Sequence, residues 1–558
     1  MDRETQTPSS GDHRKQGGGR GGWITFPFIN GTLTGLTLAG FGWMSNLIVY
    51  LIQQFNIKSI DAAQVSNIVN GGTSLFPILG AILADSFLGC FSVISIFSCI
   101  SLLGTGFLAL TATLDSLRPE PCNNNGALNS FCKAPSKLQF LVLYGGIALA
   151  AMGVGGTRFT LATMGANQFH SPQHQATFFN WNFFTQYTAA VVSSTAIVYI
   201  EDNVGWAWGF WICFAANFLA LAIFLLGNRF YFHDKPQGSP FLNIARVPVA
   251  AFKKRNLILS SMTKDYCHNE PNQPVNYVEA DHVPKNSFRF LNRASLKVEG
   301  DIGSNGSIAR PWSLCTVQQV EDVKTLIRIF PLWSSSILLG TPIAIQASLT
   351  VLQALTMDRH VGQHFKIPAG SILVIVFMST SIFLTLIDRF LCPMWQKLTR
   401  KSPSALQRIG VGHALNVLSM AVSALVESRR LKMVHAHKPN MLALWLFPQL
   451  VLVGIGEAFH FPGQVGLYYQ EFPASLRSTA TAMIALIIGI SFYLSTAIID
   501  FLRRVTSWLP DNINNGRLDN VYWTLTAVGL LNFGYYLTCA RLYKYQNVEK
   551  EVDDDTSG

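Results

Sequence analysis

Long apolar runs alternate with short polar segments along almost the whole chain. Each run is long enough for a membrane-spanning helix, which needs about 20 largely apolar residues. The twelve apolar segments are 26–53, 62–84, 92–114, 138–163, 176–200, 205–230, 323–352, 368–390, 410–427, 441–469, 478–502 and 520–543. The pattern predicts an all-α integral membrane protein with twelve transmembrane helices.

The twelve segments form two groups of six that are separated by a polar stretch. Two six-helix halves around a central cavity are the layout of the major facilitator fold, whose halves rock against each other to alternate access. The predicted parts are a disordered cytosolic tail (1–22), an N-terminal half (23–232), a cytosolic linker (233–322), a C-terminal half (323–545) and a second cytosolic tail (546–558).

Composition supports the membrane assignment. The 558-residue chain is 49% hydrophobic and only 13% charged, with a net charge of +10. So few charges cannot cover a water-soluble surface, which excludes soluble enzymes, coiled coils and disordered proteins. The positive charges are scattered over short loops and form no stripe. They indicate cytosolic loops that face an anionic lipid leaflet, and no nucleic-acid partner is expected.

The polar stretch 233–322 is predicted to be a solvated linker, because it is rich in Pro, Asn and Ser and lacks hydrophobic periodicity. A basic run at 253–255 agrees with a cytosolic location. A second basic run, at 429–432, does not agree, since it follows the ninth apolar segment and would face outside. We interpret it as a short-loop exception to the positive-inside rule.

The nine cysteines show no metal-binding spacing, so no metal site is expected. Most of them lie in apolar runs and are typical of small buried hydrophobic residues. Cys122 and Cys132 differ, because they share the polar loop Arg118–Ser136. In an extracellular loop they can form a disulfide, and two free thiols are the alternative.

Two charged residues lie deep inside predicted spans. Arg158 follows a glycine-rich run in the fourth segment, and Glu457 follows another in the tenth. Intramembrane charges are costly and usually mark transport pathways. A pair across the cavity that forms in one state and opens in another would act as a gate, and a static structural bridge is the alternative. His460, one turn after Glu457, could relay protons, contact an anion or fill a packing position.

The loop between the second and third segments, Gly80–Gly89, resembles the major facilitator signature G-x-L-x-D-x-x-G, with Leu83 and Asp85 at the spacing of its L-x-D part and a glycine one residue farther out on each side. Its acid, Asp85, is expected to cap a neighbouring helix and latch the outward-open state. Cys90 stands where a basic residue usually follows. Asp85 is therefore expected to be a conformational latch and not a substrate ligand.

An enzymatic function has little support in the sequence. Two histidine pairs with i,i+4 spacing, 170/174 and 360/364, resemble those of membrane di-iron oxidases, but a proline and a glycine interrupt them. No H-x-x-H-H motif or ATP-binding Walker motif is present. We expect no enzyme activity and no cofactor.

Several long motifs resemble the plant nitrate/peptide transporter family, within the proton-dependent oligopeptide transporters, and most closely the nitrate excretion transporter subgroup. The resemblance extends from about Gly21 to Tyr545. Its motifs are GGWITFPF (21–28), LADSFLG (83–89), GANQF (165–169), FFNW (178–181), PWSLCTV (311–317), GIGEA (454–458), and the segments WLP (508–510) and GRLD (516–519).

The resemblance implies specific roles for a few positions. The family's first helix usually carries the proton-coupling element E-x-x-E-R/K, which falls here on Leu33, Leu36 and Thr37. The basic position of helix four is kept as Arg158, in place of the more common Lys, and the helix-ten acid is kept as Glu457. Loss of the first-helix charges argues against peptide transport and weakens the case for proton symport.

The substrate cavity is expected to include Thr37 and His460. A nitrate-binding histidine that some relatives carry on helix seven falls on Ile343, so no ligand is assigned at that position. We predict a secondary transporter of a small inorganic anion, nitrate or chloride, of low affinity. Outward anion movement across an inside-negative membrane is favourable. A carrier without coupling acids is therefore expected to be biased toward efflux, with weak or no proton coupling.

Two other functions are also compatible with the sequence. One is proton-coupled symport of nitrate or a small organic solute, with protons as a second partner. The other is a carrier-shaped nutrient sensor that signals through the central loop. The expected location is the plasma membrane, with the vacuolar membrane as the alternative, and the sequence indicates no oligomeric state.

Overall fold

The computed structural model describes residues 21–120, 134–169, 171–233, 240–268, 284–285, 287–302, 308–363, 365–401, 403–472 and 480–543. Cys122, Cys132, His170, His364 and both predicted tails lie outside these residues, so the disulfide stays a prediction. In the described part the chain is almost entirely helical, and its two short strands form a single hairpin.

Each of the twelve apolar segments coincides with helix in the structure. The helices are α1 (Phe26–Ser45), α2 (Leu47–Phe55), α3 (Ser59–Leu83), α4 (Gly89–Thr113), α5 (Lys137–Ala166), α6 (Pro172–Val192), α7 (Val198–Asn203), α8 (Trp206–Leu226), α9 (Pro240–Lys253), α10 (Val317–Thr356), α11 (Val374–Leu386), α12 (Cys392–Thr399), α13 (Ala405–His435), α14 (Phe447–Glu471), α15 (Ala480–Val505) and α16 (Leu518–Leu542). The strands are β1 (His360–Val361) and β2 (Phe365–Lys366).

The helices have the length and apolarity of membrane spans. Within the described residues, nine pass both criteria, or ten when α1 and α2, bent by 50° at Asn46, count as one span. One of the nine is Ser59–Thr113, whose 55 residues would extend about 80 Å as a single helix, far more than the roughly 30 Å of a bilayer core. It contains both α3 and α4. The helical membrane architecture is confirmed, and the count of twelve spans stays a prediction.

The two halves are interrupted by similar helical defects. A π-helical turn, Ala84–Leu88, separates α3 from α4, and a second one, Ile387–Leu391, separates α11 from α12. Gly89 follows the first turn with φ +75°, a conformation that a side chain would strain. Such π turns are frequent at functional sites.

Glycines allow α5 to approach its neighbours closely. A Cβ atom on Gly153 would clash with the backbone of Ser101 on α4, and one on Gly156 would clash with the ring of Phe97. Small residues bring membrane helices together in this way because lipid supplies no hydrophobic driving force between them. The glycine-rich run before Arg158 therefore fixes the position of the helix that carries the charge.

A buried ion pair explains the outward-facing basic run. Arg430 and Glu427, both on α13, form a two-point contact in which Arg430 Nε and Nη2 donate to the two carboxylate oxygens at 2.7 and 2.6 Å. Both side chains are almost fully buried. Arg430 also donates to Thr356 at 3.0 Å, and Gln353 donates to Glu427 at 2.7 Å. Because its charge is neutralised inside the C-terminal half, Arg430 does not act as a loop charge.

We expect Glu427→Gln to destabilise the protein strongly, because it leaves a buried guanidinium without its carboxylate. Breaking a buried pair typically costs about 3–5 kcal/mol. Thermal unfolding of the purified protein in detergent measures the effect. The control is the double variant Glu427→Met/Arg430→Leu, which removes both charges and should be less destabilised than the single variant. Equal stability of Glu427→Gln and the unmodified protein would contradict the prediction.

Part of the central polar stretch folds. We call the described residues 240–268, 284–285, 287–302 and 308–316 the linker unit. It has an apolar core of its own, formed by Val247, Ala250, Ala251, Leu291, Ala294 and Cys315. Lys254 is buried and pairs with Asp301 at 2.7 Å. The prediction of a solvated linker is therefore wrong for these residues, because composition could not show that separated apolar side chains meet in one core.

Candidate functional site

Arg158 lies in the space between the two halves. Its side chain is exposed to solvent, although protein atoms surround it on a membrane-spanning helix. A lipid-facing side chain would have protein on one side only. A guanidinium that is both surrounded and solvent-accessible has the setting expected of a cavity-lining charge, and its role in a gate or an anion site stays a prediction.

Glu457 faces the same space from the C-terminal half. It is half-buried on α14, with Thr380 of α11 beside its carboxyl group. The glycines before it pack tightly on neighbouring helices, since a Cβ on Gly454 would clash with Ser379, and one on Gly456 would come within 2.8 Å of Asn416. In both halves, glycines thus allow the helix that carries the charge to pack closely on its neighbours.

Tyr187 of α6 is the link between the two charges, and no sequence motif had singled it out. It is 37% exposed and lies within electrostatic reach of both Arg158 and Glu457. Its phenol can donate a hydrogen bond to an anion or a carboxylate. A guanidinium from the N-terminal half and a carboxylate from the C-terminal half therefore both act on one partly exposed phenol.

Arg158 and Glu457 do not form an ion pair in this conformation of the described residues. A gate that closes in one state must be open in another, so the open arrangement is one of the two states that the hypothesis requires. The pairing itself stays a prediction.

The first-helix positions of the coupling element lie in the apolar interior of the N-terminal half. Leu33 and Leu36 are each 6% exposed and belong to a cluster with Ile29, Ile94 and Leu161. Thr37 is also buried. The two leucines are part of the core, so glutamates there would need a different environment from the one that the surrounding side chains provide.

His460 is buried within the C-terminal half, where it meets a second histidine that the sequence did not single out. The ring of His413, on α13, lies 5.5 Å from the ring of His460 and stacks on Tyr536 at 4.5 Å. Neither ring nitrogen of His413 has a hydrogen-bond partner among the described residues, and Nδ1 of His460 has none either. The two form a buried polar pair near Glu457, and His460 does not reach the cavity surface.

The remaining predicted positions are placed as follows. Ile343 is half-buried on α10 and packs against the large apolar core. Asp85 is half-buried in the π-helical turn, and no hydrogen-bond partner for its carboxylate is found in the described chain. In the second half, Asp388 occupies the corresponding turn and accepts a bond from Arg408 at 3.3 Å. The latch role of Asp85 stays a prediction, since it concerns another conformation.

The two halves are joined at the end opposite to the linker. The outer ion cluster consists of Lys58 and Asp61 of the N-terminal half and Arg503 and Asp511 of the C-terminal half. Arg503 pairs with Asp61 at 2.5 Å and with Asp511 at 3.2 Å, and Lys58 pairs with Asp511 at 2.7 Å. The described residues show no corresponding ion pair between the halves at the linker end, so the cavity is closed on the outer side.

Other contacts reinforce this closure. Arg359, in the loop after α10, pairs with Asp202 of α7 at 3.6 Å. The ring of Phe365 on the hairpin stacks on that of Tyr199, with centroids 5.9 Å apart and planes 10° apart. An ion pair and a ring contact therefore join the two halves at two further places on the outer side.

We expect Arg503→Ala to shift the protein toward the outward-open state, because it removes the Arg503–Asp61 ion pair between the halves. Exposed ion pairs contribute up to about 1 kcal/mol, so the population should change by about fivefold. Distances between spin labels on the outer ends of the halves measure the shift. Arg504→Ala is the matched control, since Arg504 pairs only with Asp500 of its own helix in the described structure. The same distances in both variants would contradict the role of the cluster.

The cluster should not respond to pH near neutrality. Asp511 raises the pKa of Lys58 through its hydrogen bond and its charge. A cation with a raised pKa loses its pairing only when the pH rises through that pKa, far above the physiological range. Salt, which screens exposed charges, should open the closure more effectively.

The charged and polar groups of the site can bind an anion. No group of three or more potential metal ligands occurs in the part of the chain that the structure describes. The fixed positive charge of Arg158 and the hydroxyl of Tyr187 can hold an anion, while Glu457 can repel it or take up a proton.

Comparisons with known proteins identify similar sequences. The model of the POT family matches residues 91–515. Protein NRT1/PTR FAMILY 2.7 of Arabidopsis thaliana is 54% identical over 561 residues, which cover 99% of this chain and 97% of the relative. Protein NRT1/PTR FAMILY 2.6 of the same plant is 54% identical over 536 residues, or 95% and 94% of the two chains.

Solved structures show the same fold at low sequence identity. An auto-inhibited POT family peptide transporter has a TM-score of 0.66 at 17% identity and covers 93% of this chain and 97% of its own. The POT family transporter PepTSo has a TM-score of 0.67 at 16% identity and covers 94% and 99%. Family and fold are those of membrane transporters and not of enzymes, and the chain belongs to the POT family, with members of the plant NRT1/PTR family among its relatives.

Proposed function

We propose that the protein is a secondary transporter of a small inorganic anion, nitrate in the first place and chloride as the alternative, that works by alternating access. The observation that carries the proposal is Arg158, a solvent-accessible guanidinium inside the cavity with no carboxylate partner among the described residues. A membrane-embedded cation needs a compensating charge. A small anion that enters from solution supplies it.

Tyr187 supports a small substrate. Its phenol is partly exposed, lies within electrostatic reach of Arg158 and can donate a hydrogen bond to an anion. A planar, weakly hydrated anion such as nitrate has three oxygen acceptors that a guanidinium and a phenol can share. A zwitterionic peptide would need further charges, and the first-helix positions that supply them in relatives are uncharged here, since they are Leu33, Leu36 and Thr37.

We also propose an efflux bias with weak proton coupling. Leu33 and Leu36 are packed in the N-terminal core and Thr37 is buried, so the first helix offers no carboxylate for a proton. An anion then crosses with its charge uncompensated and moves out of an inside-negative compartment. The plasma membrane provides such a voltage, and we propose it as the location.

Proton-coupled symport is the second candidate, and one observation favours it. Glu457 stands without the Arg158 guanidinium in this conformation, so a proton could neutralise it. His460 lies on the same helix as Glu457, and His413, with which it forms a buried pair, lies on the adjacent helix α13. These groups could exchange a proton with the cavity.

Counterflow of labelled nitrate in proteoliposomes tests the substrate class. Purified full-length protein, loaded with unlabelled nitrate inside, should accumulate labelled nitrate, and external chloride should compete while a neutral dipeptide should not. Empty liposomes are the control. Absence of nitrate counterflow in a folded sample would overturn the proposal and favour the sensor alternative, in which solute binds without being moved.

A further inference from the structure

Helix α9 of the linker unit has two apolar faces. One face, which includes Val247 and Ala250, is buried in the core of the unit. The other carries Val249 and Phe252, which are 39% and 67% exposed. A helix with one buried face normally presents polar side chains on the other. The second apolar face therefore needs an explanation.

The exposed apolar surface continues after the helix ends. Leu257 is 37% exposed and Ile258 is 92% exposed. Phe290 is 55% exposed, and its neighbour Arg293 donates a bond from Nε to the carbonyl oxygen of Leu257 at 3.0 Å, which brings the two segments together. Large apolar side chains at this density on one small unit mark an interaction surface.

Basic side chains lie within the same surface. The guanidinium of Arg255 sits over the ring of Phe252 at 4.7 Å, and Arg293 is bound beside Leu257. Over residues 240–316 the sequence holds ten Lys or Arg and six Asp or Glu. One of these acids, Asp301, is neutralised by its internal pair with Lys254. The surface therefore combines apolar side chains with basic ones, in a unit whose net charge is positive.

The position of the unit brings it to the edge of the bilayer. Helix α10 has 40 residues and is about 60 Å long, twice the bilayer core. Its first turns project from the membrane and hold the unit, since Lys324 donates to the Lys285 carbonyl at 2.8 Å and Arg328 donates to Ser287 at 2.5 Å. Val320 and Val323 of α10 complete the apolar core of the unit.

We propose that this surface, formed by Val249, Phe252, Leu257, Ile258 and Phe290 with Arg255 and Arg293 at its edge, lies on the cytosolic leaflet and binds anionic lipid. Apolar side chains flanked by arginines are the composition of interfacial membrane anchors. The negative charge of that leaflet complements the excess of basic residues. The proposal goes beyond the transported substrate, because it concerns the lipid partner of the linker unit and does not depend on which anion is carried.

The test measures the depth of the surface in the membrane. Full-length protein carries a fluorescent amino acid at position 252, or at the exposed acidic position 299 as the matched control, and is reconstituted in nanodiscs. Nitroxide-labelled lipids should quench the probe at 252 several-fold more than the probe at 299. Quenching at 252 should rise when phosphatidylglycerol replaces part of the phosphatidylcholine, and the double variant Arg255→Glu/Arg293→Glu should abolish that rise.

Two outcomes would overturn the proposal. Equal quenching at 252 and 299 would show that the surface does not meet lipid. Protection of the probe at 252 from aqueous iodide without quenching by lipid would show that protein covers it. The labelled proteins are compared only after they elute as single species with unchanged helical content. The quenching measurement does not require transport, so it can be interpreted even if the anion proposal fails.

Discussion

Replacing Arg158 with Ala is expected to reduce nitrate flux by at least about tenfold, and replacing Glu457 with Gln is expected to do the same. Removal of the guanidinium removes the charge that attracts the anion, and a single hydrogen bond to a charged group contributes about 1.5–3 kcal/mol. Removal of the carboxylate removes the partner that would release the anion from Arg158 in the other state. Flux in proteoliposomes, normalised to reconstituted protein, measures both effects.

Matched variants separate function from folding. Arg158→Lys keeps the charge and should retain part of the flux, whereas Arg504→Ala removes an exposed charge elsewhere and should leave the flux unchanged. Near-normal flux in Arg158→Ala or Glu457→Gln at equal protein levels would overturn the assignment. Restored flux in the exchanged variant Arg158→Glu/Glu457→Arg would indicate direct pairing in a conformation other than the one described.

The intramembrane charges could be found from the sequence because lipid makes them exceptional. A charged side chain inside an apolar run requires a reason, and glycines beside it indicate close helix contacts. Arg158 and Glu457 satisfied both conditions, and in the structure Tyr187 lies within electrostatic reach of both. Tyr187 could not be found in this way, since a tyrosine in a span is common and only the packing of α6 places it between the two charges.

The outer ion cluster could not be predicted from the sequence for a different reason. Arg503 and Asp61 are 442 positions apart, and charges at the ends of spans are ordinary features of membrane proteins. Only knowledge of which helices are neighbours makes them partners. Glu427 and Arg430 were within reach, because an i,i+3 pair of opposite charges on a helix is a local pattern. Treating 429–432 as a loop hid that pair.

The linker unit shows the limit of composition. A high content of Pro, Asn and Ser correctly indicated a polar stretch, but the apolar residues that form its core come from three separate segments around Val247, Leu291 and Cys315. None of these segments has enough apolar periodicity to predict burial alone. Their contact with the projecting part of α10 gives them a common core, and that contact is a tertiary property.

The membrane voltage, and not a pH gradient, is expected to drive nitrate through this protein. Proton symport requires a site at which proton binding and substrate binding change each other. At the first-helix positions of the coupling element, Leu33 and Leu36 are sealed into an apolar cluster and Thr37 is buried. That leaves Glu457 as the acid of the described site. An uncompensated anion gains about 2.3 kcal/mol per 100 mV, or roughly a fifty-fold ratio, on leaving an inside-negative compartment.

Proteoliposomes in which voltage and pH gradient are set independently test this expectation. With potassium and valinomycin fixing an inside-negative voltage and no pH gradient, labelled nitrate should leave the vesicles, and reversing the voltage should reverse the flux. With the voltage held at zero, an imposed pH gradient should change the flux by less than about twofold, since no carboxylate of the first helix takes up a proton. Uphill accumulation of nitrate driven by the pH gradient alone would contradict the expected dependence on voltage. If Glu457→Gln then abolished the accumulation but kept nitrate counterflow, proton coupling would be assigned to Glu457.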